Sequence, residues 1–156
     1  NRPKSRGRLC LAGPDHRLPP RIFPRLLDDE DDLIVLRRGG RIIRQIFATP
    51  PLAGHIESEL APGPETQSDA EWEDYLRRDS ITIFHPCGTC KMGIDDMAVV
   101  DPGLRVRGVS RLRVIDASIM PHLVSGNINA PTIMIGEKGA DLILKGAKDG
   151  TAISNL

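Results

Sequence analysis

Between residues 84 and 140 the sequence concentrates side chains that can carry out proton chemistry. His85 is the first of them, and imidazole is the side chain best tuned to transfer protons near neutral pH. Residues 80–84 before it alternate and are β-branched, which predicts a strand that runs into His85. An imidazole at a strand end, followed directly by Pro86, is placed to project into a cleft. We therefore take His85 as a candidate acid–base residue, although a lone histidine is more often structural.

Two cysteines, Cys87 and Cys90, follow His85 as a Cys-x-x-Cys pair. One pair is too few for a structural zinc site unless other ligands join it. A thioredoxin-like redox motif opens a helix inside a βαβ unit, and Gly88 and Gly93 disfavour a helix at this point. We therefore interpret the two cysteines as small, partly buried side chains.

A second grouping of residues matches the signature of zinc-dependent deaminases. His55 and Glu57 form a His-x-Glu pair, and Cys87 and Cys90 lie downstream in a Pro-Cys-x-x-Cys motif. In such a site His55, Cys87 and Cys90 would bind zinc, and Glu57 would shuttle the proton. The prolines and glycine within residues 50–54 disfavour the helix that a deaminase needs at its His-x-Glu pair. The deaminase stays an alternative that metal analysis of the purified protein can test.

Short apolar segments after the cysteines predict the strands that position this chemistry. Residues 98–101 and 104–106 indicate two short strands split by a Pro-Gly turn, and residues 112–115 indicate a third. Asp116 ends the third strand. A carboxylate at a strand end lies where cofactor contacts are often found in α/β folds.

An apolar helix is predicted to follow the polar loop of residues 125–130. Pro131 suits the first position of that helix, and Gly146 suits its C-cap. Four residues are predicted to share its packing face, and two of them are small enough to allow close approach: Ile133, Gly136, Ala140 and Ile143. Residues 147–156 are expected to be a frayed tail.

The first half of the chain predicts one short strand and two helices. Residues 8–11 indicate the strand. The acidic residues 28–32 predict the start of a helix that stops before Pro50, and glycines 39–40 in its middle weaken it by about 1 kcal/mol each. Five apolar residues recur along it at helical spacing: Leu33, Leu36, Ile43, Ile46 and Phe47. A capping-box pattern over residues 68–71 predicts the second helix. Three residues share one face of that helix: Trp72, Tyr75 and Leu76.

The composition limits the classes of protein to which the chain can belong. A chain of 156 residues is long enough for one domain, whose core must be aliphatic because aromatic residues make up only 3%. The 21 basic and 21 acidic side chains balance, so nothing favours nucleic acid as a partner. No apolar run approaches the length of a membrane span, and no signal peptide is recognisable. An odd number of cysteines argues against a secreted disulfide framework, and we expect a cytoplasmic protein.

Three blocks of residues together closely resemble the C-terminal part of the glucose–methanol–choline (GMC) family of FAD-dependent oxidoreductases. They are His85–Gly93, Asp116–Pro121 and Ser125–Thr132, and they are most similar to those of the choline dehydrogenases and their bacterial relatives. The resemblance runs from about Arg6 to Lys145 and is most specific from His85 to Asp141.

The resemblance implies an FAD cofactor and a primary alcohol as substrate, which is oxidised to the aldehyde by hydride transfer to flavin N5. His85 corresponds to the catalytic histidine of the family, which would take the hydroxyl proton. Asn127 stands where choline-type members carry asparagine and many oxidases carry a second histidine, and it would hydrogen-bond the same substrate oxygen. The implied cofactor contacts lie at Asp116, Ala117, Asn127, Pro131 and Thr132, and no metal ligand is implied.

The resemblance also implies an α/β (α+β) fold that is incomplete. Residues 6–97 would belong to an antiparallel substrate-binding sheet with helices, and residues 98–145 would supply the closing strand and helix of the FAD domain, before a tail over residues 146–156. The sequence contains no G-x-G-x-x-G turn of a Rossmann unit, and it begins with Asn rather than Met.

We therefore expect a fragment that is inactive alone. Its partners would be the missing N-terminal FAD domain, a small alcohol, and an electron acceptor that is either oxygen or a quinone-type carrier. Membrane association is not indicated. A non-catalytic interaction module that has lost its flavin domain stays a third hypothesis.

Overall fold

The computed structural model describes residues 2–148 of the chain, except for the side chain of Lys148. Its elements are β1 (Arg8–Cys10), β2 (Arg21–Phe23), α1 (Glu30–Phe47), α2 (Asp69–Asp79) and α3 (Asn129–Lys148), with single 3-10 turns at Leu52–His55 and Ala117–Ile119. The described residues thus contain both helices and a small antiparallel sheet, which agrees with the predicted mixed α and β class. From residue 149 onward, the predicted tail lies outside the described residues.

The chain divides into two compact units. Of the described residues, 3–82 form the N-terminal unit, and 83–148 together with residue 2 form the C-terminal unit. The boundary expected near residue 97, between a substrate-binding part and an FAD part, stays a prediction. None of the helices in the described residues is both long and apolar enough to cross a membrane.

In the N-terminal unit, β1 and β2 pair antiparallel with Arg8 opposite Phe23. The helix α1 begins after Asp29, whose side chain accepts a 3.0 Å hydrogen bond from the backbone N–H of Asp31. Three acidic residues in its first turn favour the positive end of the helix dipole. Both the predicted strand and this predicted helix start are confirmed, and α1 ends at Phe47, before Pro50 as expected.

Contacts with the ring of Trp72 help to hold α1 against α2. A Cβ atom on Gly40 would lie 2.5 Å from the ring of Trp72, so the glycine that weakens the helix locally allows the two helices to approach closely. The Arg44 guanidinium stacks over the same ring at 4.7 Å from its centroid. The guanidinium also bonds the Glu59 carboxylate and the carbonyl oxygens of residues 63 and 66.

The second helix begins with the predicted capping box. The Ser68 hydroxyl accepts a hydrogen bond from the backbone N–H of Glu71, and the Glu71 carboxylate accepts from the backbone N–H of Ser68. Trp72 and Leu76, on the predicted face, are buried, and Leu76 joins a small core with Leu27 and Leu33.

The apolar face predicted for α1 is only partly buried. Of its five residues, only Leu33 lies in the core, and the other four are between 44% and 53% exposed. The helical spacing itself is confirmed, because all five residues lie within α1. Within the N-terminal unit, however, α1 packs on α2 and one short turn. Helical spacing therefore does not by itself bury the other four residues.

The C-terminal unit is built around a core of Val100, Leu104, Ile119, Met120 and Ile135. The three strands predicted over residues 98–115 form single bridges rather than ladders: Met92 with Val100, Val100 with Val106, and Arg105 with Arg113. Any two of these segments share only one bridge, because turns interrupt the chain before a second pair can form.

The strand predicted over residues 80–84 is wrong. The segment has no regular structure, Phe84 has a φ of 63°, and Ile81 and Ile83 are largely exposed. A strand forms only where a neighbouring strand can accept its hydrogen bonds, and β-branched composition alone does not supply one.

The helix α3 packs through a face different from the predicted one. Ile135 and Gly139 are buried, whereas a Cβ added to Gly136 would have no atom within 4 Å. A Cβ on Gly139 would lie 2.3 Å from Cγ2 of Ile115, so close approach occurs at Gly139. All four residues of the predicted face are exposed: Ile133, Gly136, Ala140 and Ile143.

Both ends predicted for α3 also differ from the structure. The helix begins at Asn129, so Pro131 is its third residue rather than its first. The helix continues past Gly146 to Lys148, so Gly146 is not its C-cap. Proline is tolerated anywhere in a first turn because those N–H groups have no intrahelical acceptor.

Candidate functional site

Backbone hydrogen bonds join two of the three sequence blocks in the C-terminal unit. The N–H of Cys90 donates to the carbonyl of Ser118 at 3.0 Å, and the N–H of Met92 donates to the carbonyl of Ile119 at 2.8 Å. The segment that follows His85 is therefore fixed against the segment that follows Asp116.

The third block joins them through the core. Ile128, just before α3, and Cys87 and Met92 of the first block pack against the same buried cluster that contains Ile119 and Ile135. The structure therefore brings the three blocks together around one apolar centre. That convergence was implied by the resemblance but could not be derived from the spacing of the residues.

His85 lies on a sharply bent segment above this core. Phe84 before it has a φ of 63°, and Gly88 after it has a φ of 88°. A Cβ on Gly88 would lie 3.3 Å from the carbonyl oxygen of Met120. The absence of a side chain at Gly88 therefore allows both the positive φ and the close approach of the two backbone segments. The His85 side chain is half-buried, while Pro86 next to it is exposed. A half-buried imidazole on a fixed loop can exchange a proton with a molecule bound beside it.

Asp116 caps the 3-10 turn of residues 117–119. Its Oδ1 accepts hydrogen bonds from the backbone N–H of Ser118 at 2.7 Å and from the Ser118 hydroxyl at 2.5 Å. The carboxylate is exposed, and Ala117 beside it is half-buried. Both bonds end on Oδ1, which leaves Oδ2 available to a hydroxyl donor of a ligand.

Asn127 lies in the loop just before α3 and is exposed. Among the described residues, no hydrogen bond joins it to His85, so both polar side chains are available to a ligand. The structure places them on two different loops that leave the same core.

Pro131 and Thr132 lie in the first turn of α3 and are half-buried. The Thr132 hydroxyl donates to the carbonyl of Ile128 at 2.6 Å, and the Thr132 N–H donates to the same oxygen at 2.9 Å. The hydroxyl proton is thus used within the helix. The N–H groups of Asn129 and Ala130 precede the first intrahelical bond and have no acceptor in the helix.

A small apolar cleft lies beside the start of α3. It has a volume of about 220 Å³ and is bounded by Met92, residues 119–122, Val124, Pro131, Met134 and Ile135. His122 is the ionisable side chain in its lining. His122 is not among the site residues predicted from the sequence. The only available signal was its position directly after the Asp116–Pro121 block.

The His-x-Glu pair of the zinc alternative does not stand in the helical context that the deaminase motif requires. Among residues 2–148, no three His, Cys, Asp or Glu side chains are grouped so that they could hold a metal ion. His55 ends a single 3-10 turn, whereas the deaminase motif requires it at the head of an α-helix.

Comparison with known proteins identifies the family. A family model described as GMC oxidoreductase matches residues 3–136, most of the chain. The chain belongs to the GMC oxidoreductase family. The matched range contains the three blocks on which the resemblance was based, and the resemblance is therefore confirmed.

Two curated relatives and one solved structure show how similar this GMC chain is to known members. It is 48% identical over 143 residues to "Alcohol dehydrogenase [acceptor]" of Pseudomonas putida, covering 92% of this chain and 26% of the relative. It is 49% identical over 142 residues to "Oxygen-dependent choline dehydrogenase" of Klebsiella pneumoniae, covering 91% of this chain and 26% of the relative. The solved structure of an FAD-dependent oxidoreductase from Chaetomium thermophilum superposes with a TM-score of 0.88 at 32% identity. The match covers 94% of this chain and 26% of the Chaetomium chain.

The chain spans about a quarter of the length of these relatives. GMC oxidoreductases are FAD-dependent, so FAD is the cofactor of this family, as the name of the Chaetomium protein also indicates. The predicted cofactor is therefore confirmed at the level of the family.

The donor set of this GMC chain fits one part of a flavin cofactor. The first turn of α3 carries no acidic residue and presents two backbone N–H groups without a helical acceptor at the positive end of the helix dipole. That arrangement suits the electron-rich carbonyl groups of a flavin ring. The open Oδ2 of Asp116 suits a ribityl hydroxyl. These residues would hold FAD from one side only.

Proposed function

We propose that the complete protein containing this chain oxidises a primary alcohol to an aldehyde, and that this chain supplies the acid–base and orienting residues. The observation that carries the proposal is the convergence of the His85, Asp116 and Asn127 loops on one core. Membership of the GMC family supports a flavin-dependent alcohol oxidation in general. The residue roles below are our proposal.

We assign to His85 the role of accepting the proton of the substrate hydroxyl. Loss of hydride from an alcohol carbon requires the oxygen to lose its proton, because the product is a carbonyl. A positioned imidazole can take that proton near neutral pH. Bound FAD would supply the acceptor for the hydride, which is chemistry that no side chain can provide.

We assign to Asn127 the role of orienting the same substrate oxygen. Its side-chain amide can donate a hydrogen bond to the hydroxyl oxygen in both the alcohol and the alkoxide form. A neutral donor leaves the proton acceptor role to His85. The two residues stand on separate loops, so a substrate oxygen between them would be held from two directions.

We assign to the start of α3 and to Asp116 the role of binding the cofactor. The N–H groups of Asn129 and Ala130 would hydrogen-bond flavin oxygens and stabilise negative charge that builds there. Asp116 would accept a hydrogen bond from a sugar-alcohol hydroxyl. Pro131 and Thr132 shape this turn rather than donate side-chain hydrogen bonds.

The substrate is proposed as a small primary alcohol, with choline-like molecules among the first to test. The electron acceptor is oxygen or a quinone-type carrier. The name of one curated relative specifies oxygen, and the name of the other leaves the acceptor unspecified.

The test is a flavin spectrum of the complete protein, followed by anaerobic mixing with a panel of primary alcohols. We expect bound flavin, and we expect at least one alcohol to bleach its visible absorbance. A complete, folded protein that binds no flavin would contradict the proposal. So would bound flavin that dithionite reduces but no alcohol on the panel does.

A further inference from the structure

A cleft in the C-terminal unit is lined by four arginines that the chemistry proposed above does not use. It has a volume of about 900 Å³ and lies between residues 105–113 and the last turns of α3. A cleft of this size can admit a small molecule. The four arginines in its lining are Arg105, Arg107, Arg111 and Arg113.

The local fold brings these arginines to one cleft although they are spread over nine residues of sequence. A bridge pairs Arg105 with Arg113, and the N–H of Val106 donates to the carbonyl of Leu112 at 2.9 Å. Between the two segments the chain reverses direction through a turn over residues 107–111, in which Gly108 has a φ of 76°. The turn carries the other two arginines.

The side chains that line the cleft carry a strong positive charge. Four guanidinium groups accompany one acidic side chain, that of Asp101, which leaves a net charge of +3 in the described lining. Oδ1 of Asp101 already accepts a 2.9 Å hydrogen bond from the backbone N–H of Arg105. A concave surface with one sign of charge concentrates ions of the opposite sign.

None of the four arginines forms an ion pair within residues 2–148, because the ion pairs described in the C-terminal unit are all made by lysines. In the N-terminal unit, by contrast, Arg37 and Arg41 both bind the carboxylate of Asp69, and Arg44 binds that of Glu59. The arginines of the cleft thus keep a charge that no described carboxylate neutralises.

Backbone carbonyls hold two of the four guanidinium groups in place. Arg107 donates to the carbonyl of Gly93 at 3.0 Å, and Arg113 donates to the carbonyl of Gly103. A guanidinium carries five N–H donors, so one such bond leaves donors for a ligand. The lining also contains the hydroxyl of Ser110 as a further donor.

We propose that this cleft binds the phosphate groups of a small molecule that carries a diphosphate. A planar guanidinium can bond two oxygens of one phosphate at once, and a multiply charged anion matches the net positive charge of the lining. Among the described residues that line the cleft, none is aromatic, so no ring is present on which a base could stack. We therefore expect the phosphates to be recognised rather than a nucleoside. The proposal does not depend on alcohol oxidation.

The test is calorimetric titration of the complete protein, loaded with flavin, with inorganic diphosphate. Loading with flavin ensures that FAD itself occupies the site that holds its own diphosphate. We expect saturable binding that weakens as sodium chloride is added, because salt screens exposed charges. ADP should bind about as tightly as diphosphate, because only the phosphates are contacted.

The variant that carries both Arg105→Gln and Arg111→Gln removes two charges from the cleft. Both side chains are exposed and form no hydrogen bond with other described residues, so the fold should not depend on them. We expect roughly tenfold weaker binding or more, since charged hydrogen bonds to the ligand are lost. The matched control carries Arg21→Gln and Arg38→Gln, which remove the same charge from exposed arginines of the N-terminal unit, and it should bind as the wild type does. If the double variant of the cleft fails to fold, its two single substitutions serve in its place, and each should weaken binding.

A folded, flavin-loaded protein without saturable binding of diphosphate would overturn the proposal. Unchanged affinity after loss of the cleft arginines would overturn it, because binding would then lie elsewhere. An equal loss of affinity in the control would overturn it as well, since net charge alone would explain the binding. Binding of ADP or of duplex DNA without binding of diphosphate would show that a base or a nucleic acid is recognised instead.

Discussion

The backbone N–H of Cys90 donates a 3.0 Å hydrogen bond to the carbonyl of Ser118. This bond joins the segment that carries His85 to the segment that Asp116 caps. The neighbouring bond from Met92 to Ile119 repeats the connection at 2.8 Å, and both segments then contribute to one core. The candidate site is therefore held by main-chain contacts and apolar packing, while its polar side chains remain available to ligands.

The close approach of α3 to Ile115 predicts that Gly139 tolerates no side chain. In Gly139→Ala the new Cβ would lie 2.3 Å from Cγ2 of Ile115, and the overpacking should cost about 1–3 kcal/mol of unfolding free energy. Gly136→Ala is the matched control on the same helix, because no atom lies within 4 Å of its Cβ position. The control should be neutral or stabilise by up to about 1 kcal/mol. Urea unfolding of the complete protein measures both, and equal effects would contradict the packing of α3.

The contacts of Arg44 predict that it organises the N-terminal unit. Its side chain is 22% exposed, and it joins the Glu59 carboxylate, two loop carbonyls and the face of Trp72. Arg44→Ala would leave those acceptors unpaired and should destabilise the unit by about 2–4 kcal/mol.

Lys145→Ala is the control for Arg44→Ala, because it breaks an exposed i,i+4 pair with Asp141. Such pairs contribute little, and we expect no measurable change in melting temperature. Thermal unfolding followed by Trp72 fluorescence reports on the N-terminal unit. A loss in Lys145→Ala as large as that in Arg44→Ala would contradict the assignment.

The capping box of α2 predicts a pH-dependent contribution to stability. Hydrogen bonds from the backbone N–H groups of Ser68 and Gln67, together with the Ser68 hydroxyl, lower the pKa of Glu71. A lowered folded-state pKa means that the charged carboxylate stabilises the helix above its ordinary pKa. That contribution disappears as the pH falls through the lowered value.

Glu71→Gln tests this contribution, because a neutral amide oxygen can accept the same bonds but cannot titrate. We expect the wild type to be more stable than Glu71→Gln at neutral pH and the difference to vanish in acid. The measurement is urea unfolding of both proteins across that pH range. A difference that stays constant with pH would show that the charge of Glu71 contributes nothing.

Local signals in the sequence predicted some of these elements well. The start of α1 after an acidic run and the capping box at Ser68 were both predictable, because caps depend on neighbouring residues only. The packing partners were not predictable in this way. Gly40 looked like a weak point in α1, yet it is the contact for Trp72 from a helix about 30 residues later.

The strand predicted over residues 80–84 and the packing face predicted for α3 were wrong, because both depend on residues that are distant in the sequence. Residues 80–84 have strand composition but form no regular structure, and the face of α3 is set by the position of Ile115 rather than by periodicity alone. The candidate site residues came from the family resemblance, and the structure adds the core that their loops share. His122 could not be predicted from the sequence, because no local pattern marks a residue that lines a cleft formed by three segments.

The central claim is that His85 and Asn127 act on one substrate oxygen. His85→Ala should slow flavin reduction by alcohol by roughly 10²–10⁴-fold, the range for a positioned acid–base group. Asn127→Ala should slow it less, because it removes one hydrogen bond and leaves the proton acceptor in place. Flavin content should be unchanged in His85→Ala, since most cofactor contacts lie elsewhere.

The most direct test is anaerobic stopped-flow flavin reduction in the wild type, His85→Ala, Asn127→Ala and the double variant of the complete protein. If both residues act on one oxygen, the double variant should be less impaired than the product of the two single effects. Near-wild-type reduction in His85→Ala, with flavin fully bound, would contradict the account and remove His85 from the chemistry.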